Sequence, residues 1–223
     1  MRGVFVSGTG TEVGKTVVAA TIAAALARAG EAVAVFKPAV TGLEQPGEPD
    51  HALLRRAAGS SQDDDAIAPY RYRRPLSPHL AAELEGEEIS PARLAEAARA
   101  AAAQADAIVC EGVGGLLVPL RAGYLVRDLA LELELPLVIA ASPSLGTINH
   151  TLLTLEAARA VGLEVAAVVL TPWPAEVGAL ERSNLATVAG LGRVEVETLP
   201  HLDLQRPDSW PALRAAAAAA SAA

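Results

Sequence analysis

Short β-branched runs alternate with longer stretches rich in Ala and Leu along most of the chain. The runs are Val4 to Ser7, Ala32 to Phe36, Ala107 to Cys110, Leu137 to Ala141, Val165 to Leu170 and Val194 to Leu199. They are apolar almost throughout, with no period of two. Strands of that kind are covered on both faces, as in a parallel sheet wrapped by helices. Helices fit between them. Lys15 to Ala29 is one, with Gly30 placed to end it. Pro91 to Ala105 is a second, with Ser90 as N-cap and Pro91 in the first turn. Thr151 to Val161 is a third, closed by Gly162. Strand, helix and strand in repetition predict a doubly wound, mainly parallel α/β fold with helices on both faces. Residues 42–90 break the rhythm with Gly, Pro and Asp and weak periodicity; they predict a lid-like insertion with one short helix over Asp50 to Ala58. The alanine tail from Ala215 to Ala223 reads as a helix or a frayed end without functional signal.

A chain of 223 residues fits one such domain, residues 1–223, and buries enough surface to need neither disulfide nor structural metal. Aromatics are 3% of residues, so aliphatic packing must fill the interior. Acidic residues outnumber basic ones, 26 to 18, which speaks against a nucleic-acid partner. The single cysteine, Cys110, excludes an internal disulfide and reads as a small core residue. The N-terminal apolar run is too short for a signal peptide, and no apolar stretch reaches membrane-spanning length. A soluble cytoplasmic protein that engages no membrane is expected.

The strongest chemical signal is Gly8-Thr9-Gly10-Thr11-Glu12-Val13-Gly14-Lys15-Thr16, between an apolar strand and an apolar helix. Glycines let the backbone curl so that successive N–H groups face phosphate oxygens, and the helix N-terminus adds positive potential. Lys15 can reach the β- and γ-phosphates, and the Thr16 hydroxyl can ligate a nucleotide-borne Mg²⁺. Gly8 stands one position further from Gly14 than the strict phosphate-loop pattern requires, which lengthens the loop without removing a ligand. Glu12 beside phosphates reads as a solvated residue acting through its backbone N–H.

Ligands of open α/β sheets gather at the carboxyl ends of the strands. Lys37 ends the second run, in Phe36-Lys37-Pro38, and so faces the same crevice as Lys15. Glu111 follows the third run and precedes Gly112-Val113-Gly114-Gly115, where a metal-binding acid of an NTPase would stand. Asp50, at the start of the short helix, fits a plain N-cap and a metal ligand equally well. His51, His79, His150 and His201 form no metal-binding spacing, and Asp63-Asp64-Asp65 reads as a solvated loop.

These segments together resemble the dethiobiotin synthetase family, in its order and spacing over most of the first 150 residues. The matching pieces are GTGTEVGKT at 8–16, FKPAVTG at 36–42, PLSPH at 75–79, CEGVGG at 110–115 and LGTINH at 145–150. The phosphate loop alone is common to many NTPases; the combination is specific. The resemblance implies a P-loop NTPase-type fold and an ATP- and Mg²⁺-dependent ligase that closes 7,8-diaminononanoate and CO2 or bicarbonate into a cyclic urea. The intermediates it implies are a carbamate and a carbamic–phosphoric anhydride. Lys37 is then the active-site lysine, Lys15 the phosphate-loop lysine, and Thr16, Asp50 and Glu111 the metal ligands. Glu12, Val13, Gly14, Lys15, Thr16, Val17 and Glu111, Gly112, Val113, Gly114 match nucleotide-contacting stretches. Thr11 and Thr41 match substrate-contacting hydroxyls. The loop Leu145, Gly146 to Asn149 matches a segment reaching substrate across a homodimer interface, so a dimer with sites near the interface is implied. Pro200, His201 and Leu202 match a second nucleotide-contacting loop, and Asn184 is a candidate contact to the substrate carboxylate.

The chain departs from the family after the fifth run. Thr171-Pro172 stands where the family often carries an Asn that reads adenine, and Pro offers no N–H. Strict preference for ATP therefore does not follow. Two other classes compete. An amide-forming synthetase of the same fold normally carries a glutaminase domain, for which 223 residues leave no room. A partition-type ATPase switch usually carries a lysine early in the phosphate loop, and Thr9-Gly10-Thr11 has none.

Overall fold

The computed structural model describes residues 1–221. The chain runs β1 (Gly3–Gly8), α1 (Lys15–Arg28), β2 (Val33–Phe36), α2 (Asp50–Ala58), α3 (Asp64–Ile67), α4 (Pro78–Leu84), α5 (Pro91–Ala102) and β3 (Ala107–Glu111). It continues with β4 (Pro119–Arg121), β5 (Tyr124–Leu125), α6 (Val126–Glu132), β6 (Leu137–Ala141), α7 (Thr147–Arg159), β7 (Val165–Trp173), α8 (Ala179–Gly192), β8 (Val196–Pro200) and α9 (Arg214–Ser221). Six strands form one sheet in the order β2-β3-β1-β6-β7-β8, every neighbouring pair parallel, while β4 and β5 form a small antiparallel ribbon.

Side chains of a strand alternate between the sheet's faces, and both faces here are buried. On one face Val4, Val6, Val35, Val109, Val138 and Val169 pack beneath α1, α2 and α9. On the other, Phe5, Phe36, Ile108, Cys110, Ile139 and Leu170 pack with residues from α4 to α8. With both faces covered, the strands have no polar side to alternate with, which explains the continuous apolar runs.

Several elements differ from the sequence expectation. The helix predicted over Thr151 to Val161 begins four residues earlier, at Thr147, behind a left-handed Gly146 (φ 94°). Thr147, Ile148 and Asn149 therefore form a helix turn rather than loop. The fifth run continues through Thr171-Pro172 to Trp173, with a register shift between Leu170 and Trp173 that accommodates the proline's missing donor. The insertion carries three short helices, α2 to α4, instead of one. The alanine tail is helical through Ser221, and its Ala216 and Ala220 are fully buried against the valine face; residues 222 and 223 lie outside the described residues. Among the described residues no helix is long and apolar enough to cross a membrane.

Candidate active site

The parallel order brings three strand ends side by side. β3 lies between β1 and β2, with Val6 opposite Glu111 and Phe36 opposite Cys110. Lys37, Glu111 and the turn after β1 therefore converge at one edge. That turn is pinned to the sheet by Thr9 N–H donating to Ala140 O at 3.0 Å. Its curl passes through two left-handed residues, Glu12 (φ 59°) and Gly14 (φ 86°), before α1 starts at Lys15. Only glycine fits at Gly14. A Cβ there would also stand 2.6 Å from Thr171 Cγ2, so the loop packs directly on β7.

Four polar side chains meet beyond this loop. Lys37 Nζ lies 2.6 Å from Glu111 Oε1 and 2.9 Å from Asp50 Oδ2. Thr16 Oγ1 donates to the same Glu111 oxygen at 2.9 Å. Lys15 Nζ donates back to Gly10 O at 2.6 Å. Asp50 opens α2, where the positive end of the helix favours a carboxylate. Glu111 and Lys37 are 0% and 3% exposed, while about half of the Asp50 side chain faces solvent. Lys15 and Lys37 are the only lysines in the chain.

Burial shapes the charges. It pushes the Glu111 carboxyl up, against the pull of the Lys37 ammonium. It also works against the Lys37 charge, but the Glu111 and Asp50 carboxylates outweigh it and hold the ammonium above its ordinary range. Asp50 pays for partial burial too, and Lys37 with a Thr16 hydrogen bond carries it below the usual carboxylate range. Lys15, which forms no ion pair with a carboxylate, is lowered by burial, which outweighs the pull of the Glu111 carboxylate, and the Lys37 ammonium adds to the lowering.

The cleft around this cluster holds about 790 Å³. Of the sequence-predicted residues, its wall includes Thr11, Glu12, Gly14, Lys15, Thr16, Val17, Lys37, Thr41, Asp50, Glu111, Val113 and Gly114. Gly112 stands behind the wall, where a Cβ would meet Val126 Cγ1 at 2.8 Å, so its role is close packing. Val13 is half-buried against the valine face. Thr171 is buried beneath the phosphate loop. Pro200 and His201 are exposed, Leu202 points into the core, and the cleft is reached instead by Leu204. Leu145, Gly146 and Asn149 are exposed and lie outside this cleft. Asn184 is 4% exposed and its amide is already engaged, donating to Pro143 O at 2.8 Å and Ser144 O at 3.3 Å. It holds the turn ahead of α7 rather than offering a free donor. Gln45, Glu48, Leu53 and Ser77 also line the cleft. Of these, only Ser77 stood in a segment that carries the family resemblance.

The oxygens of Thr16, Asp50 and Glu111 suit a hard divalent cation. Glu111 Oε2 supports that fit: it is buried without a hydrogen-bond partner among the described residues. Such an atom is costly unless something claims it.

A family model described as an AAA domain matches residues 2–204. An ATP-dependent dethiobiotin synthetase BioD of Anaeromyxobacter dehalogenans is 51% identical over 171 residues, covering 76% of each chain. Its counterpart of the same name in Bacillus velezensis is 37% identical over 205 residues, 91% of this chain and 88% of that one. A ParA family ATPase from Chlorobium tepidum superposes with a TM-score of 0.58 over 99% of this chain and 98% of that one. At 13% identity, that likeness is one of fold.

Proposed function

The chain belongs to the dethiobiotin synthetase family of ATP-dependent ligases, and on that footing we propose that it converts 7,8-diaminononanoate, CO2 and ATP to dethiobiotin, ADP and phosphate. One amine of the diamine adds to CO2 and loses a proton, giving a carbamate. A carbamate oxygen attacks the γ-phosphorus, and ADP leaves. The second amine then attacks the carbonyl carbon of the resulting anhydride, closing the urea ring and expelling phosphate.

The convergence of Lys15, Lys37, Thr16, Asp50 and Glu111 at one strand edge carries this reading. Backbone N–H groups from Glu12 to Val17 hold the phosphates, with Lys15 over the β- and γ-oxygens. Lys37 neutralises the carbamate and the migrating phosphoryl group, an interaction that strengthens as charge develops. Thr11 and Thr41, on the cleft wall, orient the diamine. Thr16, Asp50 and Glu111 hold Mg²⁺, which when bound offsets the charge of the nucleotide phosphates. Positioning and charge neutralisation supply most of the rate.

The active species is a cytoplasmic homodimer, in which the exposed Leu145-Gly146 turn and Asn149 of one copy approach the other's substrate. Thr171-Pro172 supplies no side-chain amide to read the base, so triphosphates other than ATP also serve. The test is a phosphate-release assay with Mg²⁺, bicarbonate and each triphosphate, with and without the diamine, together with mass detection of dethiobiotin. Diamine-dependent phosphate release and dethiobiotin are expected. Release that ignores the diamine would favour an ATPase switch and overturn the proposal. Lys37→Ala should abolish turnover while nucleotide binding persists, the lost charge-assisted contact being worth at least ~1.5–3 kcal/mol.

A further inference from the structure

We propose that Lys37 is the resident counter-ion of the metal carboxylates, so that a divalent cation takes its place there only in company with a polyphosphate. This rests on the assignment of Thr16, Asp50 and Glu111 as metal ligands. The ammonium bridges one oxygen of each carboxylate, at 2.9 and 2.6 Å, and Thr16 donates to the same Glu111 oxygen. Those are the carboxylates a hard cation would need, and Lys37 already neutralises them, although Glu111 Oε2 has no partner among the described residues. A divalent ion arriving alone would have to displace, or settle against, a charged and almost fully buried ammonium. It would also find few ligands of its own. Among the described residues no group of three or more His, Cys, Asp or Glu is placed to hold a metal. Two carboxylates and a hydroxyl leave half of an octahedral shell to be filled.

A nucleotide changes both conditions. Its phosphates offer the ammonium a new anion across the cleft and give the metal its missing oxygens. Lys37 then moves from carboxylate to phosphate as the metal takes the carboxylates, and no charge is left buried without a partner. The lysine thereby keeps the site compact beforehand and reaches the transferable phosphate only when the metal is seated.

Mn²⁺ binding to the full chain, read by electron paramagnetic resonance with and without a non-hydrolysable ATP analogue, tests this in native protein, Lys37→Met, Lys37→Arg and Asp50→Asn. Without nucleotide, native protein and Lys37→Arg should bind Mn²⁺ weakly, and Lys37→Met should bind it at least about tenfold more tightly. With the analogue, native protein should bind it tightly and Asp50→Asn should not. Equal nucleotide-free affinity in native protein and Lys37→Met, with Asp50→Asn still impaired, would overturn the exchange and leave the ligand assignment standing. Analogue-borne Mn²⁺ unaffected by Asp50→Asn would overturn both. Thermal melting of each protein shows whether it folds and gives a second readout. For native protein, Mg²⁺ alone should leave the melting temperature unchanged and Mg²⁺ with the analogue should raise it. A rise with Mg²⁺ alone that Asp50→Asn removes would refute the proposal.

Discussion

Gly14→Ala isolates the contact between the phosphate loop and β7. Gly14 adopts φ 86° and ψ 20°, a left-handed conformation. An L-residue there costs about 1–2 kcal/mol from its own Cβ against the carbonyl. The same Cβ would lie 2.6 Å from Thr171 Cγ2, 0.8 Å inside the 3.4 Å at which ordinary contact begins. Pushing apart a loop and a buried strand residue costs a further 1–3 kcal/mol or about that. The sum is ~2–5 kcal/mol of lost stability. Thr171→Ser deletes the obstructing methyl and keeps the hydroxyl; alone it should cost about 0.8 kcal/mol. In the Thr171→Ser background, Gly14→Ala should retain only its conformational part, giving a coupling of about 1–3 kcal/mol. Urea unfolding of the four proteins measures it, with ADP binding as a parallel readout. The single variant should lose nucleotide affinity and the double variant regain part of it. A coupling under ~0.5 kcal/mol would mean that loop and strand do not touch as described.

Asn184→Ala should cost about 1–3 kcal/mol in urea unfolding, since two carbonyls of the turn before α7 lose their donor; Asn184→Asp, which turns a carboxylate on those carbonyls, should cost more. Cys110 is fully buried and its thiol is pushed up by burial, so an aromatic disulfide reagent should titrate no thiol in the native protein and one after denaturation. Arg56 hydrogen bonds, acting against slight desolvation, hold the Glu48 carboxyl below its usual value of 4.5. A depressed carboxyl stabilises above the unfolded-state value and loses that contribution as pH falls through the folded-state one. Glu48→Gln should therefore flatten the acid limb of the stability–pH curve below about pH 4.5, a small effect at a surface pair; an unchanged limb would contradict the pairing.

Much of the site was legible because its determinants are local. Glycines before Lys15-Thr16, a lysine closing one apolar run and a glutamate closing another are properties of neighbouring residues, and the parallel sheet turns strand ends into a shared edge. What escaped depends on contacts distant in sequence. Leu204 reaches the cleft because Arg56 of α2 donates to its carbonyl at 2.8 Å, a partnership across 148 positions with no local trace. α8 carries two glycines and little amphipathic contrast, so no period announces it. The start of α7 was missed because Gly146 precedes it, where Ser or Asp would have signalled a cap, and because Thr147 and Ile148 are β-branched. Asn184 stood as a candidate ligand only through the resemblance; the fold directs its amide to Pro143 and Ser144.

The chain's arginine-rich surface has one practical corollary. Every side-chain primary amine in the polypeptide belongs to Lys15 or Lys37 and is tucked into one crevice. An acylating reagent therefore has only these two buried amines and the terminal amino group to find. In purified protein, any mass added beyond one group reports that the crevice has opened.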